Sequence, residues 1–319
     1  MSAWSRLIRG ETTIDFVGRR RRWFAVSAVL LLLSVAGLAI RGINLGIEFV
    51  GGAALQAPNL SGADVADIRS ALVEVGVSDA VIQLLDDGAA VRITTGELDP
   101  STEDAAVEKL VEVTGADRPD VSVSAVGPSF GALVARRALV ALGVFLGVVA
   151  LFISWRLEFK MAGAGLVALF HDLIITVGVY ALTGFSVTPA TVVAVLVVLG
   201  YSLYDTVVVF DKVEELVEIE EEMTYSEIVN RSMNTVLARS LATSLTSLLP
   251  VGSILFVGSS ILGAPTLLDF ALALFVGIAV GTYSSIFVAA PLLAVWKEQE
   301  PGWQEQAEWV AKRSRAGRR

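Results

Sequence analysis

The sequence predicts an α-helical polytopic membrane protein, with six transmembrane helices and a small extracytoplasmic α+β domain between helices 1 and 2. Hydrophobic residues make up 54% of the 319-residue chain and charged residues only 18%, and the mean hydropathy of +0.68 is not that of a soluble globule. Six windows are long and apolar enough to cross a bilayer. One long acidic segment separates the first window from the other five.

Helix 1 is predicted at residues 23–40, because a membrane-spanning helix needs about 20 mainly apolar residues. The same criterion predicts a five-helix region at residues 138–296, with spans at 138–155, 161–183, 189–210, 241–262 and 270–296. The first span has the charged flank of a signal peptide at residues 19–22, but five further spans favour an anchor that is retained.

Lysine and arginine in the connections set the expected orientation, because cytoplasmic loops carry an excess of both. These cations concentrate in residues 1–22, in the polar connections on the same side and in residues 297–319, while the short hairpins at 184–188 and 263–266 hold none. Both termini are therefore expected in the cytoplasm. The basic tail after Val310 is expected to be disordered and to contact anionic lipid.

Residues 41–137 form the predicted extracytoplasmic domain. Between residues 41 and 135 there are 15 Asp or Glu against five Arg or Lys, which accounts for the chain's net charge of −9. Hydrophobic periodicity predicts strands at 53–57, 80–85, 91–94 and 121–126, helices at 62–75 and 103–114, and a turn at Asp87 and Gly88. This βαββαβ order is the ferredoxin-like pattern.

Residues 211–236 are interpreted as an amphipathic cytoplasmic segment. Six glutamates lie between Glu214 and Glu222, and apolar residues recur among and after them. A solvated interfacial helix is the favoured interpretation. A dedicated partner site is the alternative.

Composition limits the chemistry of the chain. Cysteine is absent and histidine occurs once, which argues against a thiolate or imidazole metal site. The negative net charge argues against a nucleic-acid partner, and no Walker lysine follows the glycines at 51 and 52. We therefore expect no cofactor, no metal and no enzymatic activity, in a chain surrounded by a lipid bilayer.

Asp205 in the fourth span is the main candidate functional residue, because an ionisable group inside a span is costly. Ser202 and Tyr201 lie three and four residues earlier, so their hydroxyls are expected on the same helix face. A carboxyl beside hydroxyls is a plausible proton site. The alternative is that Asp205, about 7.5 Å from the cytoplasmic end of its span, reaches water.

Arg239 lies in the first turns of the fifth span, at a depth similar to that of Asp205 in the antiparallel fourth span. The two residues are therefore expected to meet. Because Arg stays charged, its movement would switch the carboxyl between holding and releasing a proton. Thr243, one turn beyond, would extend this proton relay. The alternatives are a snorkelling Arg239 at the boundary and a Thr243 hydroxyl bonded to its own helix.

Two further acidic positions receive structural interpretations. His171 and Asp172 are adjacent and point about 100° apart on a helix, so a polar contact between spans is favoured over a relay. Asp269 lies near the outer boundary, where water or a helix N-terminus could satisfy it. No role in the relay is assigned to it.

Glycines explain two local features. Gly46, Gly51 and Gly52, with Glu48 between them in LGIEFVGG, predict a tight backbone turn from helix 1 into the outer domain. The segment GIAVG, which begins at Gly277, is a small-xxx-small pattern that permits close contact between helices.

Several segments together resemble the SecF members of the SecD/SecF family of protein-export membrane proteins, within the resistance-nodulation-division superfamily. The resemblance covers about residues 15–291, and no single segment carries it alone. The segments, in order, are NLGIEFVGG, VGPSFG, HD at 171–172, GYSLYDTVVVFDKV, NRSMNTVLARSLATSLTSLL and FALALFVGIAVGTYSSIFVAAPLL.

The resemblance implies a subunit of a prokaryotic plasma membrane that pairs with SecD, works beside the SecYEG channel and uses the proton gradient to move preproteins. It implies that Asp205 is the family's intramembrane acid, Arg239 its functional arginine and Thr243 its next polar position, while SecD supplies a second acid. Two departures are Glu48, where the family usually has Asp, and Tyr204, where it commonly has Asn.

Two other functions stay open at this stage. The chain could be a structural subunit that stabilises SecD and the channel without transducing energy. It could also be a half-size exporter of the same superfamily.

Overall fold

The computed structural model describes residues 12–85, 88–258 and 265–316. Within these ranges, six helices are long and apolar enough to cross a membrane. A four-stranded antiparallel sheet lies between the first and second of them in the chain. The predicted fold class, a six-helix membrane protein with one inserted α+β domain, is confirmed.

Eleven α-helices are assigned within the described ranges. In chain order they are α1 (Arg20–Arg41), α2 (Ile47–Val50), α3 (Val65–Glu74), α4 (Pro100–Thr114), α5 (Pro128–Arg156), α6 (Phe159–Thr183), α7 (Pro189–Ile219), α8 (Tyr225–Ser253), α9 (Pro265–Ser284), α10 (Ala290–Lys297) and α11 (Pro301–Ala316). Two π-helical turns extend α8 and link α9 to α10, namely Ile254–Gly258 and Ser285–Ala289.

The inserted domain has the ferredoxin-like strand order that the sequence predicts. Its strands are β1 (Gly52–Pro58), β2 (Val81–Leu85), β3 (Ala90–Thr95) and β4 (Ser122–Val126), arranged β2-β3-β1-β4 with antiparallel neighbours throughout. Leu55 pairs with Ile93 on β3 and forms the core with residues from α3 and α4 such as Leu72 and Leu110. The end of the helix bundle that carries this domain is called the outer end below, and the opposite end the inner end.

Several helices extend beyond the apolar windows because their caps lie in polar sequence. The helix of the second span begins at Pro128, ten residues before the predicted 138. Residues 211–236 are not a separate segment, since α7 runs to Ile219 and Thr224 caps the start of α8 in a capping box with Glu227. Hydropathy windows do not detect such polar extensions.

The carboxy-terminal segment is helical where the sequence predicted disorder. Helix α11 continues past Val310 to Ala316. Its Trp303 ring packs edge-on against Tyr225 of α8 with centroids 4.7 Å apart, and Gln306 Nε2 donates to the Met223 carbonyl oxygen at 2.7 Å. Three other predictions fall partly outside the described residues, namely the turn at Asp87, the end of the fifth span at 262 and the hairpin at 263–266.

The predicted glycine turn is present at the base of the inserted domain. Gly51 and Gly52 have φ values of 80° and 125°, a region that side chains strongly disfavour. A Cβ atom at Gly51 would lie 2.6 Å from Cα of Pro128, and one at Gly131 would lie 2.8 Å from the Gly51 nitrogen. The segments LGIEFVGG and VGPSFG therefore pack backbone against backbone.

The small-xxx-small pattern on α9 allows the close contact that it predicts. A Cβ atom at Gly281 would lie 2.8 Å from Cβ of Ser202 on α7, and one at Gly277 would overlap Val198. Helices α7 and α9 therefore approach closely along this line. This approach brings polar residues of both helices together in the middle of the bundle.

We expect Gly51→Ala to destabilise the protein more than Gly62→Ala. Both glycines have positive φ values, which cost other residues about 1–2 kcal/mol, but only Gly51 has a neighbour within 4 Å of a new Cβ. Overpacking against Pro128 adds about 1–3 kcal/mol. Thermal unfolding of the detergent-solubilised chain measures both losses. Equal losses of stability in the two variants would contradict the close packing of LGIEFVGG against VGPSFG.

We also expect the stability of α4 to depend on acid pH. Hydrogen bonds from Ser101 and Thr102 to the N-cap Asp99 hold the pKa of its carboxyl well below the usual value. The folded pKa is lower than the unfolded one, so the stabilisation is present above about pH 4 and is lost as the pH falls.

Hydrogen exchange of the α4 amides, corrected for intrinsic rates, measures this loss. Asp99→Asn should remove the pH dependence, because Asn caps helices but does not titrate. Helix α3 is the internal reference, since its own N-cap is the same in both proteins. An unchanged pH dependence in the variant would contradict the assignment.

Candidate functional site

Asp205 lies inside the helix bundle, where α7 meets α8 and α9. The residue is 6% exposed. Its Oδ1 accepts a hydrogen bond from Ser240 Oγ of α8 at 2.6 Å, and its Oδ2 accepts one from Ser285 Oγ at 2.7 Å. This burial argues against the alternative in which the carboxyl reaches water at the end of its span.

Arg239 does not make the predicted contact with Asp205. It is exposed, while the adjacent Ser240 is fully buried and faces the carboxyl. Successive residues on a helix diverge by about 100°, so only one of the two can face α7. This part of α8 lies at the depth of Asp205, as predicted, but Ser240 and not Arg239 lies on the face that contacts Asp205.

The hydroxyl of Thr243 bonds to its own helix, as the structural alternative predicted. Its Oγ1 donates to the carbonyl oxygens of Arg239 and Ser240, both at 3.0 Å. Tyr201 OH donates to the Thr243 carbonyl oxygen at 2.9 Å, so it bonds to α8 and not to Asp205. Tyr204, which precedes Asp205, is 61% exposed and so does not share the burial of the carboxyl.

Ser202 contacts a different carboxyl from the one predicted. Its Oγ donates to Asp172 Oδ2 at 2.6 Å, and Ser284 Oγ donates to the same oxygen at 2.8 Å. Asp172 is fully buried on α6. It therefore joins three spanning helices, which agrees with the predicted contact between spans.

His171 and Asp172 contact each other although they are adjacent on α6. The His171 Nδ1 and Asp172 Oδ1 atoms are 3.0 Å apart. The divergence of about 100° between adjacent helix positions made this contact unexpected, but the two side chains rotate toward each other. His171 is 4% exposed and its ring stacks on Tyr283 at 6.1 Å.

Adjacent serines on α9 and its π-helical turn connect the two carboxyls. Ser284 Oγ donates a hydrogen bond to Asp172, and Ser285 Oγ donates one to Asp205. Sequence patterns did not indicate these serines or Ser240, because small hydroxyl residues in an apolar span resemble ordinary packing positions. The available signal was that Ser284 and Ser285 follow Gly281 of the small-xxx-small pattern by one turn.

An ion pair between largely buried side chains joins the inserted domain to the outer end of α9. Arg92 Nη1 of β3 lies 3.1 Å from Asp269 Oδ2, and Asp269 is 1% exposed. The expectation that water or a helix N-terminus satisfies Asp269 was wrong, because its partner is 177 residues away in the chain. The pair borders a polar cavity of about 240 Å³ that Glu48 and Gln56 also line.

Within the described ranges, no group of three or more His, Asp or Glu side chains is placed to hold a metal ion. The arrangement thus consists of two buried carboxyls, four seryl hydroxyls and one imidazole in the bundle. Such a set can bind and release protons and can exchange hydrogen bonds between helices.

Comparison with known proteins identifies relatives over most of the chain. The family described as protein export membrane protein SecD/SecF, C-terminal, matches residues 106–299. The chain is 44% identical over 300 residues to the protein translocase subunit SecF of Streptomyces coelicolor, covering 93% of this chain and 80% of that one. It is 38% identical over 325 residues to the subunit SecF of Mycobacterium tuberculosis, covering 98% and 74%.

A solved structure shares the fold. The crystal structure of SecDF, a translocon-associated membrane protein from Thermus thermophilus, superposes with a TM-score of 0.82 at 33% identity. The match covers 91% of this chain and 39% of that chain. This chain therefore corresponds to about two fifths of a SecDF chain.

We expect separate loss of Arg92 or Asp269 to be more damaging than loss of both. Breaking a buried ion pair costs about 3–5 kcal/mol, because an uncompensated charge stays buried. Arg92→Gln and Asp269→Asn should each destabilise the protein, and the double variant should recover part of the loss. Denaturant unfolding in a double-mutant cycle measures the coupling.

The exposed pair Arg118–Asp104 provides the control. Its removal should cost about 0–1 kcal/mol, because both side chains stay solvated. If the stability losses of Arg92→Gln and Asp269→Asn simply add in the double variant, this pair does not join the inserted domain to the helix bundle.

Proposed function

The chain belongs to the SecD/SecF family of protein export membrane proteins, as a SecF-type translocase subunit, and on that premise we propose that it works with SecD to convert the proton motive force into protein translocation across a prokaryotic plasma membrane. The proposal assigns it no covalent chemistry. Its substrate is a translocating preprotein, and its working position is beside the SecYEG channel.

The observation that carries this proposal is the buried carboxyl of Asp205 with two seryl hydroxyls as partners. An ionised carboxylate accepts from both hydroxyls, whereas a protonated carboxyl must donate one hydrogen bond. Proton binding therefore requires at least one hydroxyl to turn. Ser285 Oγ has a second acceptor for its hydrogen, the Gly281 carbonyl oxygen at 2.9 Å.

Rearrangement at Asp205 would change the contacts among three helices, because its partners lie on α8 and at the end of α9. Closely packed helices shift between discrete arrangements. Each proton that crosses the membrane supplies about 2.3 kcal/mol per 100 mV. Repeated proton transfer could therefore drive a movement of the bundle.

Arg239 and the exposed leucines of α8 support a site for SecD on this face. Leu241, Leu245 and Leu249 are 40–61% exposed, and Arg239 is exposed on the same helix. A guanidinium within the membrane calls for a polar partner, and in this proposal SecD supplies the carboxyl. The Thermus thermophilus relative, a SecDF chain, supports SecD as the partner.

The proposed orientation places the inserted domain outside the cell and both termini in the cytoplasm. Six crossings return the chain to the side on which it starts. Basic residues at the inner end form ion pairs there, including Arg156–Asp211 and Lys297–Glu158. These cations follow the positive-inside rule.

We expect Asp205→Asn to reduce export driven by the proton gradient to the level seen without a gradient. Asparagine keeps the size of the side chain and resembles the protonated carboxyl, with one acceptor and one donor group, but it cannot exchange a proton. Export into inverted vesicles that contain SecD and the channel measures the effect. Asp211→Asn is the matched control, since this carboxyl on the same helix is partly exposed and should leave gradient-driven export intact.

Co-purification with SecD distinguishes the two main functions. The proposal requires the Asp205→Asn chain to assemble normally with SecD. Normal gradient-driven export in that variant would exclude proton transfer at Asp205. Loss of assembly would indicate the structural subunit instead.

A further inference from the structure

We propose that His171 and Asp172 form a second proton-binding site within the membrane, coupled to Asp205 through Ser284 and Ser285. The inference rests on the proposed proton-coupled function and adds a site within this chain. It follows from the geometry of the bundle, where two buried carboxyls are held by neighbouring hydroxyls.

Asp172 is surrounded by neutral groups and one imidazole. It receives hydroxyls from α7 and α9 and contacts His171 on its own helix. Within the described ranges, His171 is the ion-pair partner of Asp172. A buried carboxylate needs a compensating charge or a proton, so the ionisation of these two residues is linked.

The imidazole has a free position for a proton. His171 Nε2 is buried and has no hydrogen-bond partner in the described part of the chain. When neutral His171 donates from Nδ1 to Asp172, the lone pair of Nε2 is free to accept a proton. Addition of H⁺ to Nε2 gives an imidazolium beside a carboxylate, and the charge of the pair changes from −1 to 0. The bond that forms is N–H and none breaks.

The paired serines couple this site to Asp205 through one carbonyl. Ser284 Oγ and Ser285 Oγ lie 3.1 and 2.9 Å from the same Gly281 oxygen. Each hydroxyl has one hydrogen, which goes either to its carboxyl or to this oxygen. When Asp205 binds a proton and donates to Ser285, the Ser285 hydrogen turns to Gly281. Ser284 keeps its hydrogen on Asp172, so the two carboxyls belong to one hydrogen-bond network that passes through Gly281.

Charge couples the proton occupancy of the two sites. An ionised Asp205 favours a positive imidazolium nearby, and a neutral Asp205 does not. The two sites therefore favour alternate loading, with a proton on one at a time. The π-helical turn that begins at Ser285 fits this role, because such insertions in α-helices frequently occur at functional sites.

His171 is the only histidine of the chain, which makes the site directly observable. The full chain is reconstituted with SecD in lipid vesicles with ¹⁵N-labelled histidine and a purification tag that lacks histidine. Subtraction of the spectrum of the His171→Gln complex removes the histidines of SecD. Solid-state NMR of the remaining imidazole then reports its protonation at each pH.

We expect both the neutral and the protonated imidazole of His171 to be observed in the complex, because Nε2 is the atom that takes up the proton. At a fixed pH, Asp205→Asn should lower the imidazolium fraction, because a neutral amide replaces a carboxylate that can be ionised. Asp211→Asn is the control and should leave the fraction unchanged. A single protonation state at every pH would overturn the site, and a titration that ignores Asp205 would overturn the coupling.

Export assays then separate this inference from the proposed function. Asp172→Asn should reduce gradient-driven export as far as Asp205→Asn does, with assembly to SecD preserved. Normal export in Asp172→Asn together with loss in Asp205→Asn would overturn the second site and leave the proposed function intact. The NMR titration of the unmodified chain tests the site even where a variant fails to fold.

Discussion

The cost of burying a carboxyl group governs the arrangement of the helix bundle. Asp172 and Asp205 are both almost inaccessible to solvent, yet neither has an arginine or lysine among its hydrogen-bond partners in the described ranges. Hydroxyl groups satisfy them instead, and each hydroxyl comes from a different helix or turn. Because an unsatisfied carboxyl would be costly, α6, α7, α8 and α9 must stay in register around these two residues.

Small residues make that register possible. Serine hydroxyls reach a carboxyl only when the helix backbones lie close together, and Gly281 provides the approach between α9 and α7. The same carbonyl that Gly281 exposes accepts hydrogen bonds from both serines that follow it. A pattern that looks like simple packing therefore also determines the polar chemistry of the bundle.

The sequence predicted elements whose signals are local and missed contacts that depend on tertiary geometry. Hydropathy predicted all six spans, and strand alternation predicted the ferredoxin-like order, since each depends on neighbouring residues. The depth of Asp205 was also predictable, but whether Arg239 or Ser240 faces it depends on helix rotation, which a sequence window does not contain. The partner of Asp269 lies in a distant strand, so no local pattern indicates Arg92.

Helix α9 connects the two polar regions of the protein. Its outer end carries Asp269, which holds Arg92 of the sheet, and its inner part leads into Ser284 and Ser285, which hold the two buried carboxyls. The sixteen residues from Asp269 to Ser284 span about 22 Å of a rigid helix. A change of hydrogen bonding at Ser285 that shifts or rotates α9 must therefore also displace Asp269. Since the Asp269–Arg92 pair is buried, the sheet must follow that displacement or the pair must break. A single helix thus connects the inserted domain to the hydrogen bonds around the buried carboxyls.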